Sequence, residues 1–389
     1  MPLKKRRGPR LAALVVVIAV GLWLVGGAYR AMAQQDGLNP QSSAPVGRSQ
    51  HGAVLELPTT PGSQSGSSQT VPPQIAPQHG QELILPSREL RGQAGYEQVT
   101  VTVTDQQGRY ITNLQRGDFQ LYVDGQQRPI EFFRQDLNTP VSVGILVDTS
   151  GSMEPKIAQA QAAINEFMGN LNDSDDVFLF AFSDRPFLLQ PFTRNHYLVL
   201  SRLVLLHAYG QTALFDTILD GLLMVQHGRY DKKALLVITD GMDNASQSDL
   251  NRVIAQARRM GVLVYSIGIG DPNAPSLPSL AIGPFIVNGD IDQVDARTLK
   301  LLSSETGAKT YLIREVGDGA ALRTACATIS RELREQYTIG FVAPDAGRGG
   351  YRNLRVDIPS RGDASVRVRK GVTVGGAGTE SASATDPPP

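Results

Sequence analysis

Val99, Val101 and Val103 alternate with Thr100, Thr102 and Thr104. Period two is the signature of a strand with one buried face, so ordered structure is expected to begin near Glu97. Phe119 to Val123 and Arg128 to Phe133 read as two further strands, joined by a turn at Asp124-Gly125. Past Pro140 the pattern changes. Val141 to Val147 is nearly all apolar, as a strand covered on both faces of a parallel sheet must be. Glu154-Pro155 then opens a helix in which Ile157, Ile164, Phe167 and Leu171 recur at helical spacing. Apolar strands follow at Val177 to Phe182, Ala234 to Thr239 and Val262 to Ile269, separated by helical stretches around Ala213 to Gln226 and Asp249 to Met260. A helix around Asp295 to Glu305, a strand at Thr310 to Ile313 and a helix around Ala320 to Glu335 complete the alternation. This predicts an α/β fold, a doubly wound and mostly parallel sheet. Beyond Tyr337 period two returns, in Tyr337 to Val342, Arg352 to Ile358 and Ser365 to Val368. These strands are expected to pair with the Glu97 module, so that the α/β domain sits between two halves of one small β-rich module.

The ends of the chain read differently. Lys4, Lys5, Arg6, Arg7 and Arg10 precede an uncharged apolar run from Leu11 to Tyr29, and Ala31-Met32-Ala33 has the small-x-small form of a cleavage site. That is an export signal or a membrane anchor, with the cations left on the cytoplasmic side. Its length is close to the ~20 residues that span a bilayer, so residues 11–29 are also a candidate membrane tether. The rest of the chain is then expected outside the cytoplasm: periplasmic, on the cell surface or secreted. From Gln34 to about Gln81 the sequence is rich in Gln, Ser, Pro and Gly and too poor in apolar residues to fold, a tether by composition. The expected organisation is a signal or anchor at 1–33, a disordered linker at 34–93, a β module at 94–139, the α/β domain at 140–336, returning strands at 337–372 and a disordered tail at 373–389.

Charge and cysteine content narrow the chemistry. The whole chain has 37 Lys plus Arg and 37 Asp plus Glu. Without the six cations of the first 33 residues it carries 31 against 37, a net charge of −6. Neither figure supplies the clustered basic face that nucleic acid requires. The single cysteine, Cys326, excludes an intrachain disulfide and a multi-thiolate metal site.

In an open α/β sheet, ligands collect beyond the carboxyl ends of the strands. There the first apolar strand runs into Asp148-Thr149-Ser150-Gly151-Ser152, the loop before the Ala213 helix carries Gly210-Gln211-Thr212, and the strand Ala234 to Thr239 ends in Asp240-Gly241. Asp148, Ser150, Ser152, Thr212 and Asp240 offer two carboxylates and three hydroxyls, a donor set for a hard cation such as Mg²⁺, with Mn²⁺ or Ca²⁺ as alternatives. Mg²⁺ keeps several of its waters, so such a set leaves a coordination position open.

The pattern Asp148-x-Ser150-x-Ser152, Thr212, Asp240 resembles the metal-ion-dependent adhesion site of the von Willebrand factor type A domain, over roughly Pro140 to Gln336. The flanking segments, including Asp118-Phe119-x-Leu121-Tyr122-x-Asp124-Gly125 and Arg367-Val368-Arg369-Lys370-Gly371, resemble the bacterial VWFA-related proteins. The resemblance implies that Ser150, Ser152 and Thr212 contact the metal directly and that Asp148 and Asp240 act largely through water. It further implies a non-enzymatic adhesion or scaffolding module whose open position takes a Glu or Asp carboxylate from a protein partner. Gly210-Gln211-Thr212 stands where the family has Gly-Gly-Thr, a departure that touches the loop and not the ligand.

Simpler readings exist at each position. Asp148-Thr149-Ser150-Gly151 alone could cap the following helix. Asp243 and Asn244 read as turn residues, Asp216 and Asp220 as a solvated helix face, and Cys326 as small core filling. His196, His207 and His227 have no nucleophile motif near them. A structural envelope protein whose metal only stiffens the loops is one alternative. A hydrolase is another: Asp148-Thr149-Ser150-Gly151 is similar to the Asp-Thr-Gly loop of aspartic proteases, but Ser150 breaks its spacing and that fold is all β. No glycine-rich phosphate loop with its lysine follows the first strand.

Overall fold

The computed structural model describes residues 86–374 apart from 275–279, 283–284, 288–292, 316 and 345–348. The apolar run at 11–29 and most of the expected linker and tail lie outside the described residues. Among the described residues, no helix is long and apolar enough to cross a membrane.

A one-turn helix, α1 (Arg88–Gly92), is capped by the Ser87 hydroxyl and lies inside the segment expected to be linker. Strands β1 (Tyr96–Thr104), β2 (Gln120–Val123), β3 (Gln126–Arg128) and β4 (Phe132–Gln135) follow. The single strand expected over Arg128 to Phe133 is therefore two. Pro129, which has no N–H to give to a ladder, separates them. β3 stays with β2, whereas β4 joins the other sheet.

The α/β part begins with β5 (Ser142–Asp148), a 3₁₀ turn over Gly151–Lys156, α2 (Ile157–Gly169), β6 (Asp176–Phe182), β7 (Pro186–Thr193) and α3 (His196–Arg202). It continues with α4 (Leu214–Val225), β8 (Lys233–Thr239), α5 (Leu250–Met260), β9 (Leu263–Ile269), the hairpin β10 (Leu280–Ile282) and β11 (Phe285–Val287), α6 (Ala296–Thr306), β12 (Thr310–Ile313) and α7 (Gly319–Glu332). Six strands form one sheet in the order β12-β9-β8-β5-β6-β7, parallel except for the edge pair β6/β7. Every residue of β5 is buried. Its Val143, Ile145 and Val147 pack with α2 and α7 on one face, and Leu146 packs with α4 and α5 on the other. That double covering is why the strand reads as an unbroken apolar run. The pattern did not reveal β7: Pro186 and Pro191 interrupt its alternation, as edge strands permit.

Strands β13 (Tyr337–Val342), β14 (Gly350–Asp357), β15 (Ser365–Arg367) and β16 (Gly371–Val374) close the chain. They interleave with the first four to give two antiparallel sheets, β15-β1-β13-β4 and β16-β14-β2-β3. Both sheets feed one core that includes Val101, Val103, Leu121, Val123, Ile339, Phe341 and Val356, so the base is a β-sandwich built from both ends of the chain. The α/β domain leaves from β4 and returns at β13, and these two strands are neighbours, with Gln135 opposite Tyr337.

A buried ionic knot marks that junction. The Asp136 carboxylate accepts from Arg134 Nε at 2.7 Å, Thr338 Oγ1 at 2.8 Å and Lys232 Nζ at 3.2 Å, and the same ammonium donates to the Leu333 carbonyl at 2.6 Å. Burial by itself would raise the Asp136 pKa, but the charges of Lys232 and Arg134 outweigh it and the net direction is down. A depressed carboxyl stabilises the fold above the unfolded pKa, about 3.9, and loses that contribution as pH falls through the folded value. Asp136→Asn leaves two buried cations under-compensated. It is expected to cost about 3–5 kcal/mol in urea denaturation at pH 7, and the gap to wild type should narrow below about pH 4.

Candidate functional site

β5 and β8 lie side by side, and α2 and α5 carry the chain away from them in opposite directions along the sheet. A crevice opens at such a reversal of strand order. The register pairs Val147 with Ile238, so Asp148 closes β5 level with Thr239, and Asp240 follows one residue later. Both aspartates are fully buried.

Their oxygens are bound from several directions. Asp148 Oδ1 accepts the Ser150 N–H at 2.8 Å and Asp148 Oδ2 accepts the Thr239 hydroxyl at 2.5 Å. Asp240 Oδ2 accepts the Ser152 hydroxyl at 2.6 Å, and the Ser150 and Ser152 hydroxyl oxygens are 3.2 Å apart. Burial first, and the Asp240 charge second, push the Asp148 carboxyl up to about 7. Four of the five expected ligands thus form one hydrogen-bonded set.

Thr212 reaches the same place through its backbone. The Gly151 N–H donates to the Gly210 carbonyl at 3.0 Å and the Tyr209 N–H to the Thr149 carbonyl at 2.8 Å, which docks the 209–212 loop on the 149–151 loop. The Thr212 N–H donates to Asn244 Oδ1 at 2.8 Å, and the Thr212 carbonyl accepts the Asn244 N–H at 3.0 Å. Thr212 is buried, and no hydrogen bond links its hydroxyl to the other four side chains. Gly210 has φ +75°, and a Cβ there would meet Asp184 Oδ2 at 2.8 Å. Asp184 in turn accepts the Gln211 N–H at 2.6 Å, so the Gly-Gln-Thr loop is pinned despite its departure from Gly-Gly-Thr.

Sequence reasoning missed three contributors. Thr239 bonds Asp148 directly. Asn244, read as a turn residue, holds Thr212. Lys156 is fully buried with its Nζ 3.5 Å from Asp240 Oδ2. A signal for Lys156 existed: Ala160 and Ile164 define the buried stripe of α2, and one turn back along that stripe is residue 156. Asp216 is a tie and not a freely solvated side chain, since its carboxylate accepts the Gln247 and Ser248 N–H groups at 2.8 and 3.0 Å. Asp243 likewise accepts the Phe215 N–H at 3.0 Å at the start of α4. His207 Nδ1 lies 2.9 Å from the Leu205 carbonyl, outside the set. Cys326 donates to the Ala163 carbonyl at 3.3 Å, and burial pushes its thiol up to about 12, as core filling requires. Among the described residues, no three His, Cys, Asp or Glu side chains gather as a metal cage. The five candidate side chains offer hydroxyl and carboxylate oxygens, with the Lys156 ammonium beside them.

An open, mostly parallel sheet with oxygen donors from three loops at its switch point is the architecture of a ligand-binding α/β module. The chain carries a von Willebrand factor type A domain: residues 142–307 match the model of that family. Domains of this family commonly mediate protein–protein interaction or adhesion. A curated relative, an uncharacterized protein of Borreliella burgdorferi, is 24% identical over 190 residues, 46% of this chain and 55% of that protein. The chain spans about half the length of that relative. Among solved structures, the similar ones include BatB of Bacteroides thetaiotaomicron at 18% identity (49% of this chain, 98% of that one, TM-score 0.41) and a von Willebrand factor type A protein of Catenulispora acidiphila at 14% identity (73% and 74%, TM-score 0.42). A third is the manganese-loaded TRAP protein of Plasmodium vivax at 15% identity (61% and 96%, TM-score 0.38).

A carboxyl raised by burial favours the protonated fold, so its contribution is complete below the unfolded pKa of about 3.9 and is lost as pH rises toward 7. In excess chelator, Asp148→Asn is therefore expected to be more stable than wild type at pH 8, by on the order of 2–4 kcal/mol in urea. At pH 4 the two should be nearly equal. Equal stability at both pH values would show that the fold does not raise the Asp148 carboxyl.

Proposed function

We propose that this protein is an extracytoplasmic binding module that holds a Mg²⁺-type cation among Asp148, Ser150, Ser152, Thr212 and Asp240 and captures a Glu or Asp carboxylate of a protein partner. The carrying observation is the pair of fully buried carboxylates, Asp148 and Asp240, set among serine hydroxyls with the Asp148 carboxyl driven up by burial first and by the Asp240 charge second. Two like charges brought together away from water are costly unless a cation offsets them. The donors are all hard oxygens, which suits Mg²⁺ or Mn²⁺, or Ca²⁺ with more waters, and suits no soft metal.

When bound, such a cation supplies a Lewis-acidic position that an anionic oxygen can fill. The protein's own residues do the rest. Ser150 and Ser152 present hydroxyls from a loop fixed by the Thr149 N–H and hydroxyl, both donating to the Phe182 carbonyl at 2.7 and 2.9 Å. Thr239 and the Ser150 N–H orient Asp148, and Asn244 with Asp184 fixes the loop that carries Thr212. The set has no histidine to act as a general base, which favours binding over turnover. Export rests on the basic start and the apolar run at 11–29 of the sequence.

Mg²⁺ or Mn²⁺ at ~100 times its dissociation constant should stabilise the chain by about 2.7 kcal/mol, read as a rise in melting temperature. Asp148→Ala and Ser152→Ala should abolish that rise. Proteins retained from envelope extract in Mg²⁺ should elute with chelator. Retention that survives chelator, or is unchanged in Asp148→Ala, would defeat the metal-bridged reading.

A further inference from the structure

Lys156 is the third charge buried at the crevice, and the proposed ligand set does not use it. Its side chain and that of Asp240 are both fully buried, 3.5 Å apart. The carboxylate oxygen it faces, Asp240 Oδ2, is the one that accepts the Ser152 hydroxyl at 2.6 Å. Asp240 is the ammonium's only hydrogen-bond or ion-pair partner among the described residues. The chain gives the side chain little room to withdraw. It ends the 3₁₀ turn Gly151–Lys156, in which Met153 is also buried, and α2 begins at the next residue.

A buried ammonium persists only with a counter-charge, so Lys156 depends on Asp240. The dependence is mutual, because Asp240 sits against a second carboxylate. With both carboxylates ionised, as they are around a bound cation, two aspartates and one lysine sum to −1 in the crevice. A dication takes it to +1, whereas without the lysine it would be neutral. The ammonium and a dication are like charges drawn to the same carboxylate, and even with screening as strong as that of water their repulsion over a few ångströms amounts to roughly tenfold in affinity.

Resting on the dication site proposed above, we propose that Lys156 is a built-in counter-cation of Asp240 that competes with the dication and sets its affinity. In this role it holds the crevice together before metal arrives. It also leaves the loaded site one positive charge in excess, which a single external carboxylate neutralises.

The test compares wild type with Lys156→Met, which keeps the length of the side chain, and Lys156→Gln, which keeps a donor toward Asp240 without the charge. Folding is checked by far-UV circular dichroism in chelator, and Mn²⁺ affinity is measured by calorimetry. Both neutral variants are expected to bind Mn²⁺ at least about tenfold tighter than wild type. Tight binding in the variants with none in wild type also supports the role, and it would mean that the native crevice is closed by its own lysine, defeating the metal reading alone. Affinity unchanged or weaker in folded variants, with wild type binding, overturns the role of Lys156 and leaves the metal reading intact. No binding in any of the three overturns both.

Discussion

Two carboxylates at the ends of neighbouring parallel strands are the constraint around which this domain is organised. Asp148 and Asp240 are fully buried, so each must be held by donors if the fold is to survive without full protonation. One donor is local, the Ser150 N–H; the Thr239 and Ser152 hydroxyls and the Lys156 ammonium come from far along the chain. Their convergence depends on the β5/β8 register. A slip of one residue would turn each side chain to the opposite face of the sheet and disperse the set.

That register is enforced from outside the site. β5 is buried on both faces, and a shift would place its apolar residues against the wrong helices. At the other end of the domain, the Asp136 N–H donates to the Gln336 carbonyl at 2.8 Å, tying the outgoing and returning chain together beside the ionic knot of Arg134, Asp136 and Lys232. Gln336 continues into the sheet, donating through Nε2 to Thr102 Oγ1 and to Tyr265 OH. The sandwich is thus a clamp on both ends of the α/β insert, with its own core, and the crevice lies at the far ends of the strands from it.

Much of this could be read from residues alone, for physical reasons. Doubly covered strands announce themselves as apolar runs, and Val177 to Phe182 and Thr310 to Ile313 lie where the pattern put them or within a residue of it. The candidate set came into view because hard oxygen donors sat just past two predicted strand ends and in the loop before a predicted helix. What stayed hidden depended on tertiary context. β7 carries two prolines and exposed apolar residues, so it has no clean period. Pro129 divides a run whose halves belong to different sheets. Lys156 is a charged residue on an apolar stripe, and only the position of Asp240 explains why it can be there. Thr212 is buried and joins the site through backbone bonds to Asn244, a relation that spacing cannot express.

Whether the crevice is a cation site decides what this domain does. A crystal of the chain grown with Mn²⁺ and measured at the manganese absorption edge locates that ion without assumption. The expected result is one anomalous peak bounded by Ser150, Ser152, Thr212, Asp148 and Asp240. A map with no peak there, in a chain otherwise folded as described, would contradict it.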